Sequence, residues 1–270
     1  MIIQTVDLQI SGSNSILSFE TDGGGSWEVW DRYLAIDGNK AFHIGNICGT
    51  CSFFFERLEG ANQKIEPKVM IAALNDGIKG FDELSLDDLG RIIPDGKYIV
   101  TLSQVTPRLI EPSDEDDYFS KEQVDLWGID SFIGKPHSPM TEYFRLTTSK
   151  LNNSEGLFEF LIPTFPHNWL NKSRVSSYRE SIKNGSKPTM VAISVLDVKE
   201  PADGENEIDI TSHWCLAHYV VDGHHKAYAA ALENQPITLI SFLAVEKGVS
   251  SEADIQTLLT QLTSKPTKKR

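Results

Sequence analysis

The sequence predicts an α+β fold, with a β-rich N-terminal domain over residues 1–150 and a mixed α/β domain over 155–250. Three observations carry this. The first sixty residues alternate apolar and polar side chains, as half-buried strands do. Beyond residue 155, short and nearly continuous apolar runs alternate with helix-period segments. A hydrophobic content of 40%, with 13 Phe and 5 Trp in 270 residues, supplies enough apolar surface for a substantial core.

Each element follows in chain order. "TVDLQI" alternates, "ILSFE" follows a polar "SGSNS" turn, and "GGGSWEVWDRYLAI" places apolar or aromatic residues at every second position. "DGNK" is a hairpin signal, leading into the aromatic-rich "AFHIGNICGTCSFFFERL". "PKVMIAALNDG" has proline at its start and glycine past its end, which suits a short helix. "SLDDLGRIIPDG" allows another helical turn before the strand-like "KYIVTLSQV". Residues 106–150, rich in proline and acid, are expected to be loop, and "KLNNSEG" (150–156) is expected to be the linker between domains.

Past that linker, "LFEFLIPTF" is a strand and "NKSRVSSYRESIKNG" places Val175, Tyr178 and Ile182 on one helix face that Gly185 can close. "PTMVAISVLDV" and "HWCLAHYVV" are strands separated by a polar insertion, and "ITLISFLAV" is a fully apolar strand. "SSEADIQTLLTQL" reads as a C-terminal helix over 251–264, with Ser251 and Asp254 as a capping-box variant, ahead of a basic tail at 265–270.

A net charge of -13 disfavours wrapping duplex nucleic acid, because phosphate binding draws on a basic face. No apolar stretch has membrane-spanning length, and the N-terminus lacks the basic start and apolar run of a secretory signal. The expectation is a cytoplasmic protein without membrane or duplex nucleic-acid partners.

Between the strand "AHYVV" and the alanine-rich helix stands "DGHHK", residues 222–226. A helix start presents free N–H groups and a partial positive charge to an anion. Gly223 permits close approach, Lys226 adds a full charge, and His224 and His225 donate hydrogen bonds or move protons. The plainer alternative is an ordinary turn in which Asp222 caps the helix.

With "RVSSYRESIKNGSKPTMVAISVLD" before it, "VVDGHHKAYAAALENQPITLISFLAV" resembles the ParB/sulfiredoxin superfamily over residues 157–247. Those proteins carry a strand, a D-G-x-H-R or related turn, an alanine-rich helix and another strand. The resemblance implies a nucleotide-phosphate pocket formed by Gly223, His224, His225 and Lys226. Lys226 stands where the family has arginine. Asp222 and His225 are the implied catalytic residues, with Glu159 as another candidate base. The sulfiredoxin activity is disfavoured, because His224 occupies the place of its cysteine. The implied activity is an ATP- or ADP-dependent phosphotransferase, akin to the free-serine kinases, that acts on a small-molecule substrate with Mg2+ bridging the phosphates. The alternative is a non-catalytic nucleotide-binding or interaction module, with a nuclease third.

Three cysteines do not suggest a disulfide framework. Cys48-x-x-Cys51 together with His213 and Cys215, which share one strand face, forms a possible four-ligand Zn2+ set. A redox pair and plain core packing are the other readings. "EPSDEDDYF" gathers Glu111, Asp114, Glu115, Asp116 and Asp117 and reads as a solvated acidic loop, without the spacing of a calcium loop. His137 and His167 sit among prolines; each is a candidate pocket-lining residue, with a structural role as the plainer alternative.

Overall fold

The alternating N-terminal runs become β1 (Ile2–Ile10), β2 (Leu17–Gly24), β3 (Trp27–Ile36) and β4 (Asn39–Asn46). Asp37 and Gly38 both take positive φ, 50° and 71°, as the two-residue hairpin turn between β3 and β4 requires. The structure is a computed structural model that describes residues 1–49, 56–63, 73–85, 89, 92–112, 114–136, 142–201 and 210–263. A short β5 (Glu56–Arg57) completes a four-stranded sheet of order β2-β3-β4-β5.

The main sheet has eight strands in the order β1-β6-β14-β12-β13-β11-β10-β7. Its remaining members are β6 (Gly96–Val105), β7 (Arg108–Ile110), β10 (Tyr143–Lys150), β11 (Glu155–Pro163), β12 (Thr189–Lys199), β13 (Ser212–Asp222) and β14 (Ile237–Ala244). β8 (Ile129–Asp130) and β9 (Lys135–Pro136) form a separate small ribbon. β11 runs parallel to β13, and β12 parallel to β14. Both central strand pairs are buried on two faces, which is why these segments read as continuous apolar runs.

Phe158, Phe160, Ile193, Val195, Ala217, Tyr219, Ile240 and Phe242 face the four-stranded sheet and join Leu34, Ile36, Phe42 and Ile44 in the largest core. Asp197 of β12 clamps the two sheets together, accepting bonds of 2.8 and 2.6 Å from the Arg32 guanidinium. The Val249 N–H adds a third bond at 2.8 Å. The opposite face of the main sheet carries the helices. α3 (Lys172–Lys183) and α4 (His224–Glu233) cover one end, and α5 (Glu252–Thr263) covers the other. Ser251 and Asp254 cap α5 reciprocally, and Gly185 closes α3 with φ 91°.

The α+β class and the order helix, strand, strand, helix, strand after residue 170 stand as expected. The expected linker is different. Residues 151–154 form the tight connection between β10 and β11, and Lys150 pairs with Gly156. Strands from both sides of residue 150 therefore share one sheet, with β1 and β6 hydrogen-bonded outside β14. The stretch expected to be loop holds β10 and α2 (Tyr118–Trp127), preceded in the chain by α1 (Ala73–Asp76) within the helix expected at 67–77, of which residues 67–72 lie outside the described residues.

The acidic cluster is not wholly solvated either. Asp117 is buried and N-caps α2 through the Phe119 and Ser120 N–H groups. It accepts bonds from the Tyr143 hydroxyl at 2.6 Å and from Arg145 at 2.8 and 2.9 Å. Burial alone would raise the Asp117 carboxyl, but the Arg145 guanidinium holds it below its ordinary value. The basic tail and His137 lie outside the described residues.

Candidate functional site

The DGHHK turn lies at the start of α4, and the structure assigns each of its side chains an internal partner. Gly223 has φ 107°. A Cβ on it would sit 2.5 Å from Met190 Cβ, so close packing against β12 requires glycine at this position. His224 is buried, stacked 3.6 Å from the Phe165 ring, and its Nε2 accepts the Thr164 N–H at 3.1 Å. Its hydrogen is therefore on Nδ1. Burial, with a smaller contribution from His225, lowers its pKa to about 3. The His225 ring accepts the Asn171 N–H at 2.9 Å, and burial followed by the Arg174 charge lowers its pKa. Lys226 is buried, donating to the Thr189 carbonyl at 2.8 Å and to Asp222 at 3.1 Å. Burial is the main cause of its lowered pKa. Asp222, with its side chain 35% exposed, pairs with Lys226 and does not cap the helix.

The His225–Asn171 bond has a geometric consequence. Asn171 is the N-cap of α3, so the starts of α3 and α4 meet at one corner. Exposed Arg174, whose positive charge acts on both His225 and Lys226, stands beside them. This corner thus brings together two helix N-termini, the Lys226–Asp222 pair and the exposed Arg174 guanidinium, and the helix starts and Arg174 favour an anion there. Next to it, Phe165, Leu170, His167 and Tyr228 line an aromatic groove, with the His167 and Tyr228 rings 4.4 Å apart.

Of the expected zinc set, His213 and Cys215 have other surroundings. His213 Nε2 is 3.0 Å from the Tyr118 hydroxyl and packs among Phe119 and Phe158, and burial lowers its pKa to about 4. Cys215 is buried in the core, and burial raises its thiol well above the usual value. Among the described residues, no group of three His, Cys, Asp or Glu side chains is arranged to hold a metal. Cys48 is half-buried near Asn46, and Cys51 lies outside the described residues.

A second constellation crosses the helix-covered face of the main sheet. Glu159 of β11 accepts from His218 Nε2 of β13 at 3.1 Å. His218 Nδ1 lies 2.6 Å from the Ser194 hydroxyl of β12, which lies 2.7 Å from the Ser241 hydroxyl of β14. Thr101 of β6 pairs with Ser241, and the Thr147 hydroxyl of β10 bonds Glu159 where the β10–β11 register shifts. Six adjacent strands therefore each place a polar group in one row.

On either side, the same strands are apolar. Ala192, Val220, Leu161 and Leu239 pack under α3 and α4, while Leu196, Leu216, Leu157 and Leu243 pack under α5. Glu159, His218, Ser194 and Ser241 are all buried. Desolvation pushes the Glu159 carboxyl up, but the hydrogen bond and charge of His218, then the Thr147 hydroxyl, outweigh it and leave the pKa lowered. An ionised carboxylate only accepts, so the Nε2 of His218 carries the hydrogen and the bond direction is fixed.

Of this row, Glu159 is foreseeable as a base, whereas Ser194 and Ser241 are not. The signal lies in four apolar strands that each hold one polar residue near the middle: "LFEFLIP", "VAISVLD", "LAHYVV" and "TLISFLAV". The chain matches no protein-family model, and no curated protein or solved structure is similar to it.

Proposed function

We propose that the chain binds the phosphates of a nucleotide at the corner where α3 and α4 start. The observation that supports this reading is the convergence of the two N-termini, tied by the His225–Asn171 bond beside Arg174 and Lys226. The resemblance of "VVDGHHKAYAAALENQ" to the ParB/sulfiredoxin superfamily points the same way. Because the side chains of His224, His225 and Lys226 are already engaged, the ligand contacts fall to backbone N–H groups and Arg174. The turn then holds a ligand and does no chemistry.

Phosphoryl transfer from ATP or ADP to a small molecule is the second reading. It is favoured by one observation: Asp222 is a partly exposed carboxylate at this corner, able to act as a base or to hold Mg2+. Isothermal titration with ATP, ADP and CTP, with and without Mg2+, tests both readings. The expected result is saturable binding of at least one nucleotide, weakened about tenfold or more in Arg174→Ala. Absence of binding to all three overturns both. Among binders, nucleotide turnover that is lost in Asp222→Asn while binding persists selects the transferase.

A further inference from the structure

β1 is an outermost strand of the main sheet, hydrogen-bonded to β6, and among the described residues no strand pairs with its other side. Ile3 to Asp7 are all exposed, whichever face they point to. Two other edges carry features that stop strands from adding. β7 has three residues, with exposed Arg108 between Pro107 and Pro112, and β2 has Glu20, Asp22 and a bulge between Asp22 and Gly24. β1 has nine residues, no proline, lysine or arginine, and a single charge at Asp7. We propose that a second copy of the chain adds to this edge, β1 against β1 in antiparallel orientation, about a two-fold axis at Val6.

The ladder fixes which main-chain groups point outward. The Gln104 N–H and carbonyl both bond Met1, while the Lys97 carbonyl accepts from Val245 at the end of β14. Even-numbered residues of β6 therefore face β1, and odd-numbered ones face β14. Their partners Gln4, Val6, Leu8 and Ile10 turn inward, so Thr5, Asp7 and Gln9 direct their N–H and carbonyl groups away from the sheet. An antiparallel copy must pair these odd positions with one another. Three registers near the middle do so: Thr5 on Thr5, Thr5 on Asp7, or Asp7 on Asp7. The last sets two carboxylates directly opposite each other. The middle register overlaps the whole strand Ile2–Ile10, whereas the other two each leave two residues of each strand unpaired. It also stands each Asp7 across from a Thr5 hydroxyl that can donate to it. The two exposed Val6 side chains then meet across the axis as a non-hydrogen-bonded pair, with Cα atoms about 4.5 Å apart. The strand is complementary to itself when fully overlapped, with no like charges opposed, and this selects a second copy as the occupant. Nine paired residues make a small interface, so the dimer forms and dissociates with concentration.

The test is sedimentation of the full chain from about 1 µM to about 500 µM. The expected result is a reversible shift towards twice the monomer mass as concentration rises. Thr5→Pro removes an outward N–H and leaves the β1–β6 ladder intact, so it weakens association about tenfold or more with unchanged far-UV dichroism. Val6→Lys, at an exposed position, also weakens it by setting two ammonium groups opposite each other. Thr5→Lys faces Asp7 of the second copy and tightens association about twofold or more. A monomer at every concentration, association unchanged in both Thr5→Pro and Val6→Lys, or a Thr5→Lys variant that fails to tighten overturns the proposal. Should Thr5→Pro fail to fold, Val6→Lys and Thr5→Lys decide the matter.

Discussion

Replacing Glu159 and His218 singly and together measures how far the stability of the row depends on these two side chains meeting each other. Glu159→Met leaves the His218 Nε2–H buried and without its acceptor, a loss of about 1–3 kcal/mol for an unsatisfied neutral donor. His218→Leu strips a buried carboxylate of its main partner, leaving the Thr147 hydroxyl and the more weakly acting Met1 ammonium, which costs about 3–5 kcal/mol. Additivity would therefore put the double variant at about 4–8 kcal/mol. The expected outcome is different. With both polar groups gone and Leu216, Leu161 and Ala192 around them, the double variant stays within about 1 kcal/mol of the parent, because replacing both partners of a buried hydrogen bond by apolar groups of similar shape is nearly neutral. Urea unfolding followed by tryptophan fluorescence measures all four proteins. A double variant as unstable as the sum of the singles, or Glu159→Met costing more than His218→Leu, refutes the reasoning.

Two further predictions concern the turn and the buried histidines. Gly223→Ala combines a left-handed φ of 107° with a Cβ 2.5 Å from Met190, so it costs about 2–4 kcal/mol, read from the same urea midpoints. His213 and His224 have pKa values near 4 and 3, well below about 6.5 for an unfolded histidine. Between these values the unfolded chain binds protons that the native one refuses. The stability is thus fully present above about pH 6.5 and falls as pH drops, by up to about 1.4 kcal/mol per unit for each histidine. Unfolding between pH 7.5 and 5 should show this decline, with a shallower slope in His224→Gln, and a flat profile contradicts it.

What the sequence determined by itself was local. The β3–β4 turn follows from an Asp-Gly dipeptide that tolerates two positive φ angles, and α5 from a serine and an aspartate three residues apart. The central strands follow from apolar runs too short for helices. Signals of this kind act over a few residues and do not depend on partners. Asp117 was visible only as one acid among five, since nothing nearby in the chain says that Arg145 and Tyr143 will bury it and so start α2.

The tertiary structure decided the rest through strand order. A boundary at residue 150 was reasonable from composition, yet β1 and β6 add to β14 because a sheet edge pairs with whatever strand covers it, regardless of distance along the chain. The corner at Asn171 and Gly223 exists because α3 and α4 pack side by side. The row from Glu159 to Ser241 required register as well. One polar residue in an apolar strand is unremarkable, and a slip of one position would send it to the other face of the sheet. Only the pairing of Ser194 with His218, and of each with its neighbours, turns four scattered letters into a connected chain of hydrogen bonds.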